Sequence, residues 1–444
     1  MTIRDRLGHP VNGADSASLA AYETALHQLQ CYIGDPVATI DRALVASPAF
    51  VMAHALKAYL NLLGTEPTGI AVARESHRAA AVLQSDERER GHLEAIRHLC
   101  EGRWHAAGRV LEDVAIDYPR DALALQTGHL IDFYTGASRM LRDRIARALP
   151  AWSASMPGCH AVLGMHAFGL EECGEYAAAE EAGRKGAQLE PRDGWSQHAV
   201  AHVLEMRGRQ EDGVAWMCAD TDAWSRDSFF AVHNWWHLAL YHLDLGEIDR
   251  VLALFDGPIY GARSKVVLDM IDGSALLWRL HLRGVDVGGR WDALADNWAP
   301  LAAAGNYAFN DTHAMMAFVG AQRSALAAEV LRAQEAAMAG DGDNAAFTRE
   351  VGYPVARAIK AFGDGYYQES VRLLRSVRNI ANRSGGSHAQ RDLLDLTLIE
   401  AAFRGGERGL AAALTAERLA AKPSSPLAKL FVKRALEQSA AGRA

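Results

Sequence analysis

Cysteine is scarce in this sequence and is not spaced for cross-linking. The cysteines are odd in number, no Cys-x-x-Cys pair occurs, and they are Cys31, Cys100, Cys159, Cys173 and Cys218. Disulfide-rich secreted domains and cysteine-based structural zinc sites need paired or closely spaced cysteines. The pattern therefore predicts reduced thiols and a cytoplasmic protein.

Three other features are missing: a long apolar run, an apolar leader and a basic patch. No stretch approaches the roughly 20 apolar residues of a membrane-spanning helix. The first residues are charged and polar, which is unlike a secretory signal. Acidic residues outnumber basic ones, 54 to 46, and the two signs are interspersed. We therefore expect neither nucleic acid nor a membrane as a partner.

Strand signals are also nearly absent, and a helical pattern takes their place. Half of the residues are hydrophobic, and apolar positions recur at intervals of three and four, which indicates α-helix throughout. The breaks are short, and one order recurs along the chain: a helix, a glycine, then a second helix. The pivot glycines of this pattern are Gly102, Gly174, Gly208, Gly246 and Gly365.

The spacing of the pivots is typical of tetratricopeptide repeats. Gly174 and Gly208 are 34 residues apart, and Gly246 follows after another 38, close to the 34-residue period of that two-helix unit. Residues 160–193 resemble the repeat most closely. The positions that carry this likeness are Gly174, Tyr176, Ala179 and Pro191. The chain is thus predicted to be all-α, a right-handed superhelical solenoid of tetratricopeptide-like helix pairs.

We expect a single continuous solenoid over residues 1–444. The repeats are clearest over about 160–255 and degenerate over 256–345, where "DGPIYGARSKVV" and "RGVDVGGRWDALADNW" indicate inserted loops. Residues 346–444 are predicted to hold the C-terminal repeats, a capping helix and a frayed tail.

Two His-x-x-x-His pairs stand on successive repeats, in "HAVAHVLEMRG" from residue 198 and "HNWWHLALYH" from residue 233. His198, His202 and Glu205 are spaced i, i+4, i+7, which places them on one helical face. The likeness to tetratricopeptide repeats implies that this face lines the concave groove. The candidate catalytic residues on this surface are His198, His202, Glu205, His233, His237, Asp311 and His313.

Aromatic and amide side chains flank these candidates. An aromatic wall with a few convergent polar groups is typical of a small-molecule pocket. The candidate substrate-binding residues are Trp195, Asn234, Trp236, Tyr241, Phe309 and Asn310.

Three kinds of chemistry fit such a groove. A divalent metal, zinc above all, can be held by His198, His202 and His237, although the His-Glu-x-x-His form is missing. Metal-free acid–base catalysis can use a histidine oriented by Glu205, with Asp311 and His313 as a second pair. A peptide-binding scaffold is the third alternative, but the groove has little of the positive charge that captures acidic peptides.

Four segments together resemble the tetratricopeptide repeat protein 38 family: "HAVAHVLEMRGR", "FAVHNWWHLALYHLDLGE", "DGSALLWRL" and "SGGSHAQRD". The resemblance covers most of the chain and implies an all-α repeat fold in a soluble, cytoplasmic protein. It implies no established reaction and no assigned catalytic residue.

The sequence also lacks a Gly-x-Ser-x-Gly elbow, a phosphate loop and a dinucleotide fingerprint. We therefore predict a small organic ligand and an unusual hydrolase or lyase, metal-independent rather than metal-dependent and so without a cofactor. The alternative is a non-enzymatic scaffold for a peptide or protein partner. Homo-oligomerisation stays open.

Overall fold

The chain is helical along its described length. A computed structural model describes residues 3–441, and within that range the regular structure is helical apart from two isolated bridges, Arg4–Pro10 and Ile33–Ser228. The first thirteen α-helices are α1 Ser16–Cys31, α2 Pro36–Ala46, α3 Val51–Leu62, α4 Gly69–Ala80, α5 Glu87–Cys100, α6 Trp104–Asp117, α7 Ala122–Tyr134, α8 Ser138–Ala148, α9 Cys159–Glu172, α10 Tyr176–Leu189, α11 Gly194–Met206, α12 Gln210–Cys218 and α13 Thr221–Ser225. The others are α14 Ala231–Leu245, α15 Ile248–Leu254, α16 Val267–Leu282, α17 Arg290–Trp298, α18 Ala308–Gly320, α19 Ser324–Ala337, α20 Asp343–Phe347, α21 Tyr353–Gly363, α22 Tyr367–Val377, α23 His388–Arg404, α24 Arg408–Ala421 and α25 Pro426–Ala441.

Several helices begin at strong local signals. Asp15, Asp86 and Ser387 each form a capping box, in which the cap side chain accepts the N–H of the third helical residue and that residue's side chain accepts the N–H of the cap. Such a cap stabilises a helix by about 1 kcal/mol. These starts are therefore set by short stretches of sequence rather than by distant packing.

Glycine makes the turn within the predicted helix pairs. Gly174 joins α9 to α10 and Gly208 joins α11 to α12, with φ of +81° and +65°. Side chains with a Cβ rarely adopt this conformation. The other three predicted pivots also have positive φ and also lie between two helices: Gly102, Gly246 and Gly365.

The best-preserved predicted repeat is the α9–α10 hairpin. Tyr176 begins α10, Ala179 is fully buried where the two helices pack, and Pro191 follows the end of α10 at Leu189. The predicted helix–glycine–helix order is confirmed at this repeat, and the chain is an all-α, tetratricopeptide-like helical-repeat protein.

Contacts divide the chain into two compact units. Unit 1 comprises Met1–Val200 and Asp220–Ala231, and unit 2 comprises Ala201–Ala219 and Val232–Ala444. The boundary passes through helix α11. We predict one continuous solenoid over residues 1–444. That arrangement of the repeats along the whole chain stays a prediction.

Unit 1 is built by neighbour-on-neighbour packing. From α1 to α10 each helix contacts the next, and α1, α3, α6 and α7 also contact the helix two places further along. Contacts between elements close in sequence are what a repeat array requires, because each repeat buries its apolar face against its neighbours.

Unit 2 has the same pattern around one large apolar core. Helices α16 to α19 pack in order, as do α21 to α25, and α16 also contacts α18 and α23. Trp236, Trp278 and Trp298 are buried in this core. The indole N–H groups of Trp278 and Trp298 donate to Thr397 and Ser274, each at 3.0 Å, so both polar atoms are satisfied despite burial.

The predicted inserted segments are irregular only in part. Residues 260–266 form no regular helix after a short π turn at Phe255–Ile259, while Arg290–Trp298 folds as α17. Helix α25 closes the described chain, and the chain beyond it, where a frayed tail is predicted, lies outside the described residues. Over residues 3–441 none of the helices has the length and apolarity to cross a membrane.

Candidate functional site

Three imidazoles converge in unit 2. His202 lies on the second half of α11, and His233 and His237 lie one turn apart on α14. The ring centroids of His202 and His237 are 4.4 Å apart, and those of His233 and His237 are 4.9 Å apart. One ligand atom of each ring lies within 4.8 Å of the others. These three predicted residues, hereafter the histidine cluster, are therefore brought together.

A carboxylate stands behind His233. Asp272 on α16 lies 2.9 Å from Nδ1 of His233, and its side chain is 3% exposed. A carboxylate accepts, so Nδ1–H donates to it, and in the neutral ring the lone pair then lies on Nε2. The same relation orients histidine ligands in metal sites.

A second carboxylate stands behind His237. An oxygen of Glu205 lies 3.7 Å from Nδ1 of His237, and the other oxygen lies 3.3 Å from the ammonium of Lys422. Burial alone would raise the pKa of Glu205, but Lys422 and His237 outweigh it and hold that pKa below its usual range. Glu205 is therefore a carboxylate that faces both a histidine and a cation.

Two of the three imidazoles, those of His202 and His237, are held in their neutral form. His202 and His237 are fully buried, and burial lowers the pKa of both, with the neighbouring imidazoles lowering it further. Neutral imidazole is the form that ligates a metal ion or acts as a base. His233, with 15% of its side chain exposed, is the member that solvent reaches.

Trp236 forms one wall of the cluster. Its indole stacks on His233 at 5.3 Å with 17° between the ring planes, and the Arg279 guanidinium lies 5.2 Å from its centroid on the ring face. Arg279 donates to the carbonyls of Ala275 and Ala389. Trp236 is predicted as a substrate contact. In the structure its indole packs against His233 and the buried Arg279 guanidinium.

A charged layer lies beyond Glu205. Arg418 donates two hydrogen bonds to Asp392, at 2.7 and 3.1 Å. Burial alone would raise the pKa of Asp392, but Arg418 and Lys422 hold it below its usual range. Glu205, Lys422 and Arg418 line a cavity of about 40 Å³, which is room for about one water molecule.

A larger cavity in unit 2 is lined by arginines instead of histidines. It measures about 310 Å³ and contains the side chains of Arg279, Arg283, Arg404 and Arg434 with Glu400, between leucines and one phenylalanine. Glu400 accepts hydrogen bonds from Arg404 and Arg434, both at 2.8 Å. The walls therefore carry an excess of positive charge.

His198 belongs to unit 1 and packs among aromatic rings. Its imidazole stacks on Phe168 at 5.4 Å and lies 5.0 Å from Trp195 and 5.2 Å from Phe230. The predicted substrate contact Trp195 also stacks on Tyr32. These contacts give both predicted residues a packing role in unit 1.

The remaining candidates have other neighbours. The Tyr241 hydroxyl donates to the Ala201 carbonyl at 2.5 Å, and Asn234 is fully buried on α14. On α18, Asn310 is buried and Phe309 is half-buried. The backbone carbonyl of Phe309 accepts a hydrogen bond from Nδ1 of His313 at 2.8 Å.

Asp311 and His313 are not brought together as a pair. Burial raises the pKa of Asp311 to about 7, and nearby Gln334 offsets only part of that rise. Burial lowers the pKa of His313 to about 4, and the charges that act on it are Asp272 and Arg279. Positions i and i+2 of a helix face different sides, so the two side chains do not form an acid–base pair.

Sequence reasoning missed the charged partners of the cluster. Asp272 and Arg279 lie in the apolar segment "DMIDGSALLWRL", and Lys422 follows α24, more than 200 residues from Glu205. Charged residues inside an apolar helix are rarely buried without a partner, and that signal was available for Asp272 and Arg279. Nothing local marks Lys422.

Known structures resemble this chain at low identity. Human IFIT1, solved as a dimer with m7Gppp-AAAA, aligns at 12% identity over 96% of both chains, with a TM-score of 0.41. Yeast Tom70 aligns at 12% identity over 96% of this chain and 88% of its own, with a TM-score of 0.32. No protein-family model matches the sequence. The likeness concerns the fold alone, and the resemblance to the tetratricopeptide repeat protein 38 family stays a prediction.

Proposed function

We propose that the histidine cluster binds a divalent metal ion of the zinc type and that the protein is a hydrolase for a small organic substrate. The observation that carries the proposal is the pair of carboxylates behind the imidazoles, Asp272 at His233 and Glu205 at His237. Sequence alone favours metal-free catalysis, because the His-Glu-x-x-His form of zinc enzymes is missing. A carboxylate behind each of two converging imidazoles is typical of catalytic zinc sites.

Three converging imidazoles satisfy the needs of such an ion. Zinc binds nitrogen at about 2.0–2.1 Å, and catalytic sites use three protein ligands and one water. The ligand atoms already lie within 4.8 Å of one another, so small side-chain rotations would suffice to bring all three to one ion. Asp272 and Glu205 supply negative charge that offsets the cation, and Lys422 balances part of Glu205.

His202, His233 and His237 would hold the ion, and the ion would supply a bound water of lowered pKa as the nucleophile for an acyl carbon. The oxygen of that water would bond to the acyl carbon as the bond to the leaving heteroatom breaks, and the leaving group would take up one proton. His233 is the partly exposed ligand, so the substrate approaches from its side.

The test is metal content and ester hydrolysis of the purified full-length protein. We expect one tightly held zinc ion at this site, hydrolysis that a chelator abolishes and zinc restores, and loss of both in a His202→Ala, His237→Ala double variant. His242→Gln is the matched control, since His242 is a buried histidine of the same helix that pairs with Glu247 at 2.6 Å. Unchanged zinc content in the double variant would overturn the proposal.

A metal-free enzyme is the second candidate, and the His233–Asp272 pair favours it. A half-buried imidazole with a carboxylate on Nδ1 is an oriented general base. Hydrolysis or elimination that survives chelation but falls in His233→Gln and Asp272→Asn would support this candidate. A protein that holds no zinc and turns over no ester would favour the non-enzymatic scaffold.

A further inference from the structure

We infer that unit 1 carries a second metal site, made by His27, Cys31 and His160 and suited to a borderline-soft ion such as Zn²⁺. One ligand atom of each side chain lies within 4.8 Å of the other two. The Cys31 sulfur lies 3.8 Å from Nδ1 of His27, and the rings of His27 and His160 are 5.9 Å apart at 82°. This site is independent of the histidine cluster, since it shares no residue with it.

His160 is oriented as a metal ligand is. Its Nδ1–H donates to a carboxylate oxygen of Asp193 at 2.9 Å. Asp193 is itself fixed, because it is fully buried and accepts hydrogen bonds from the Ser196 hydroxyl and from the N–H groups of Trp195 and Ser196. A fixed carboxylate on Nδ1 selects one tautomer and leaves Nε2 with a lone pair.

The other nitrogen of His160 is the feature that packing does not explain. His160 is 7% exposed, and its Nε2 is a buried atom with no hydrogen-bond partner among the described residues. A buried polar atom left in this way costs about 1–3 kcal/mol. A metal ion in contact with Nε2 removes that cost.

The two other ligands come from the last turn of α1. His27 and Cys31 are four residues apart, so both face the same side of the helix. Cys31 is fully buried, whereas His27 is exposed. Solvent therefore reaches the site from the His27 side and not from the Cys31 side. That opening is the path by which an ion enters and the place for a water ligand.

The donor set selects the kind of ion. Two imidazoles and one thiolate are borderline and soft donors, which suit zinc and its spectroscopic substitute cobalt, while magnesium and calcium prefer oxygen. The histidine cluster in unit 2 offers nitrogen only. Thiolate ligation therefore distinguishes this site from that one.

The experiment is a titration of the metal-free protein with Co²⁺, followed by absorption in the near ultraviolet, where thiolate-to-cobalt charge transfer appears. It is carried out in the His202→Ala, His237→Ala background, which lacks the cluster proposed for catalysis. We expect one equivalent of cobalt to produce the band, zinc to displace it, and Cys31→Ser to abolish it. Cys159→Ser and Cys218→Ser, a buried and an exposed cysteine outside the site, should retain it.

His27→Gln tests the same site if Cys31→Ser fails to fold. His27 is exposed, so its replacement leaves the core intact, and we expect cobalt to bind at least tenfold more weakly with an unchanged circular dichroism spectrum. A missing band in the background protein would overturn the inference, as would a band that persists in Cys31→Ser. Neither result bears on the nitrogen-only cluster.

Discussion

The Asp272 carboxylate lies 2.9 Å from Nδ1 of His233, and the two residues are 39 positions apart on helices α14 and α16. Asp272 is nearly fully buried. Burial of a carboxylate is costly unless it is paired, so this contact is the reason that an aspartate is tolerated in an apolar helix. It also fixes the ring orientation of the one cluster histidine that solvent reaches.

Asp272→Asn is expected to weaken zinc binding at the histidine cluster by 10- to 100-fold, because the amide is uncharged and orients the imidazole less strictly. The measurement is competition for zinc with a chelating indicator. Asp296→Asn is the control, since Asp296 has 72% of its side chain exposed and only a distant partner in Arg323. Equal zinc affinity in wild type and Asp272→Asn would contradict the proposed role of Asp272.

The sequence predicts the fold well because the fold is local. Pivot glycines and apolar periodicity act within one repeat. Gly174 and Gly208 form the predicted turns between helices, with positive φ. The candidate site is predicted in part, since His202, His233 and His237 share faces set by short spacings. Lys422 and Asp272 reach the cluster through packing between distant helices, which no short-range pattern encodes.

Asp311 and His313 illustrate the reverse case, in which the sequence suggests a pairing that the structure does not contain. Their proximity in sequence suggests a joint role, but Nδ1 of His313 donates to the carbonyl of Phe309 on its own helix, and burial is the main influence on Asp311. A spacing of two residues separates side chains on a helix. Helical geometry alone therefore argues against the pairing.

Stability is expected to fall as pH rises through the titration of Asp311. Burial raises the pKa of Asp311 to about 7 in the folded state, against about 3.9 in the unfolded chain. Between these values the folded protein binds more protons than the unfolded one, so the free energy of unfolding decreases from about pH 4 to pH 7.

Asp311→Asn removes this dependence. The variant should match the wild type near pH 4 and exceed it at pH 8 by a few kcal/mol, at about 1.4 kcal/mol per pKa unit. The measurement is urea denaturation at both pH values, with Asp296→Asn as the exposed control. A wild-type advantage at pH 8 would show that Asp311 is stabilised as a carboxylate.

Gly213→Ala is expected to destabilise unit 2. A Cβ at this position would lie 2.3 Å from the ring of Tyr241, and that ring is held by the hydrogen bond of its hydroxyl to Ala201. Overpacking of this kind costs about 1–3 kcal/mol. The measurement is the urea midpoint of unfolding.

The control for this prediction is Gly409→Ala. Gly409 lies in the first turn of α24, and a Cβ there would meet nothing within 4 Å. Alanine is the better helix former by up to about 1 kcal/mol, so this variant should be equally or more stable than the wild type. Equal tolerance of both alanines would mean that the Tyr241 ring moves aside freely.

Glu400→Gln is expected to destabilise the arginine-lined cavity of unit 2. Glu400 has 6% of its side chain exposed and accepts from both Arg404 and Arg434. Loss of its charge leaves two guanidinium groups without an anionic partner there. The cost is about 1–3 kcal/mol for a buried acceptor, towards the lower end because the arginine side chains are 29% and 36% exposed and solvent screens them.

The salt dependence distinguishes the loss of stability in Glu400→Gln from the loss caused by breaking an ordinary surface ion pair. Glu417→Gln breaks an ion pair with Arg378 in which the carboxylate side chain is 58% exposed, and such pairs contribute about 0–1 kcal/mol and less at high ionic strength. Urea denaturation at low salt and at 1 M salt should leave most of the Glu400→Gln effect in place while the Glu417→Gln effect disappears. If both effects vanish together at 1 M salt, Glu400 is a surface partner and the cavity charge is already screened by water.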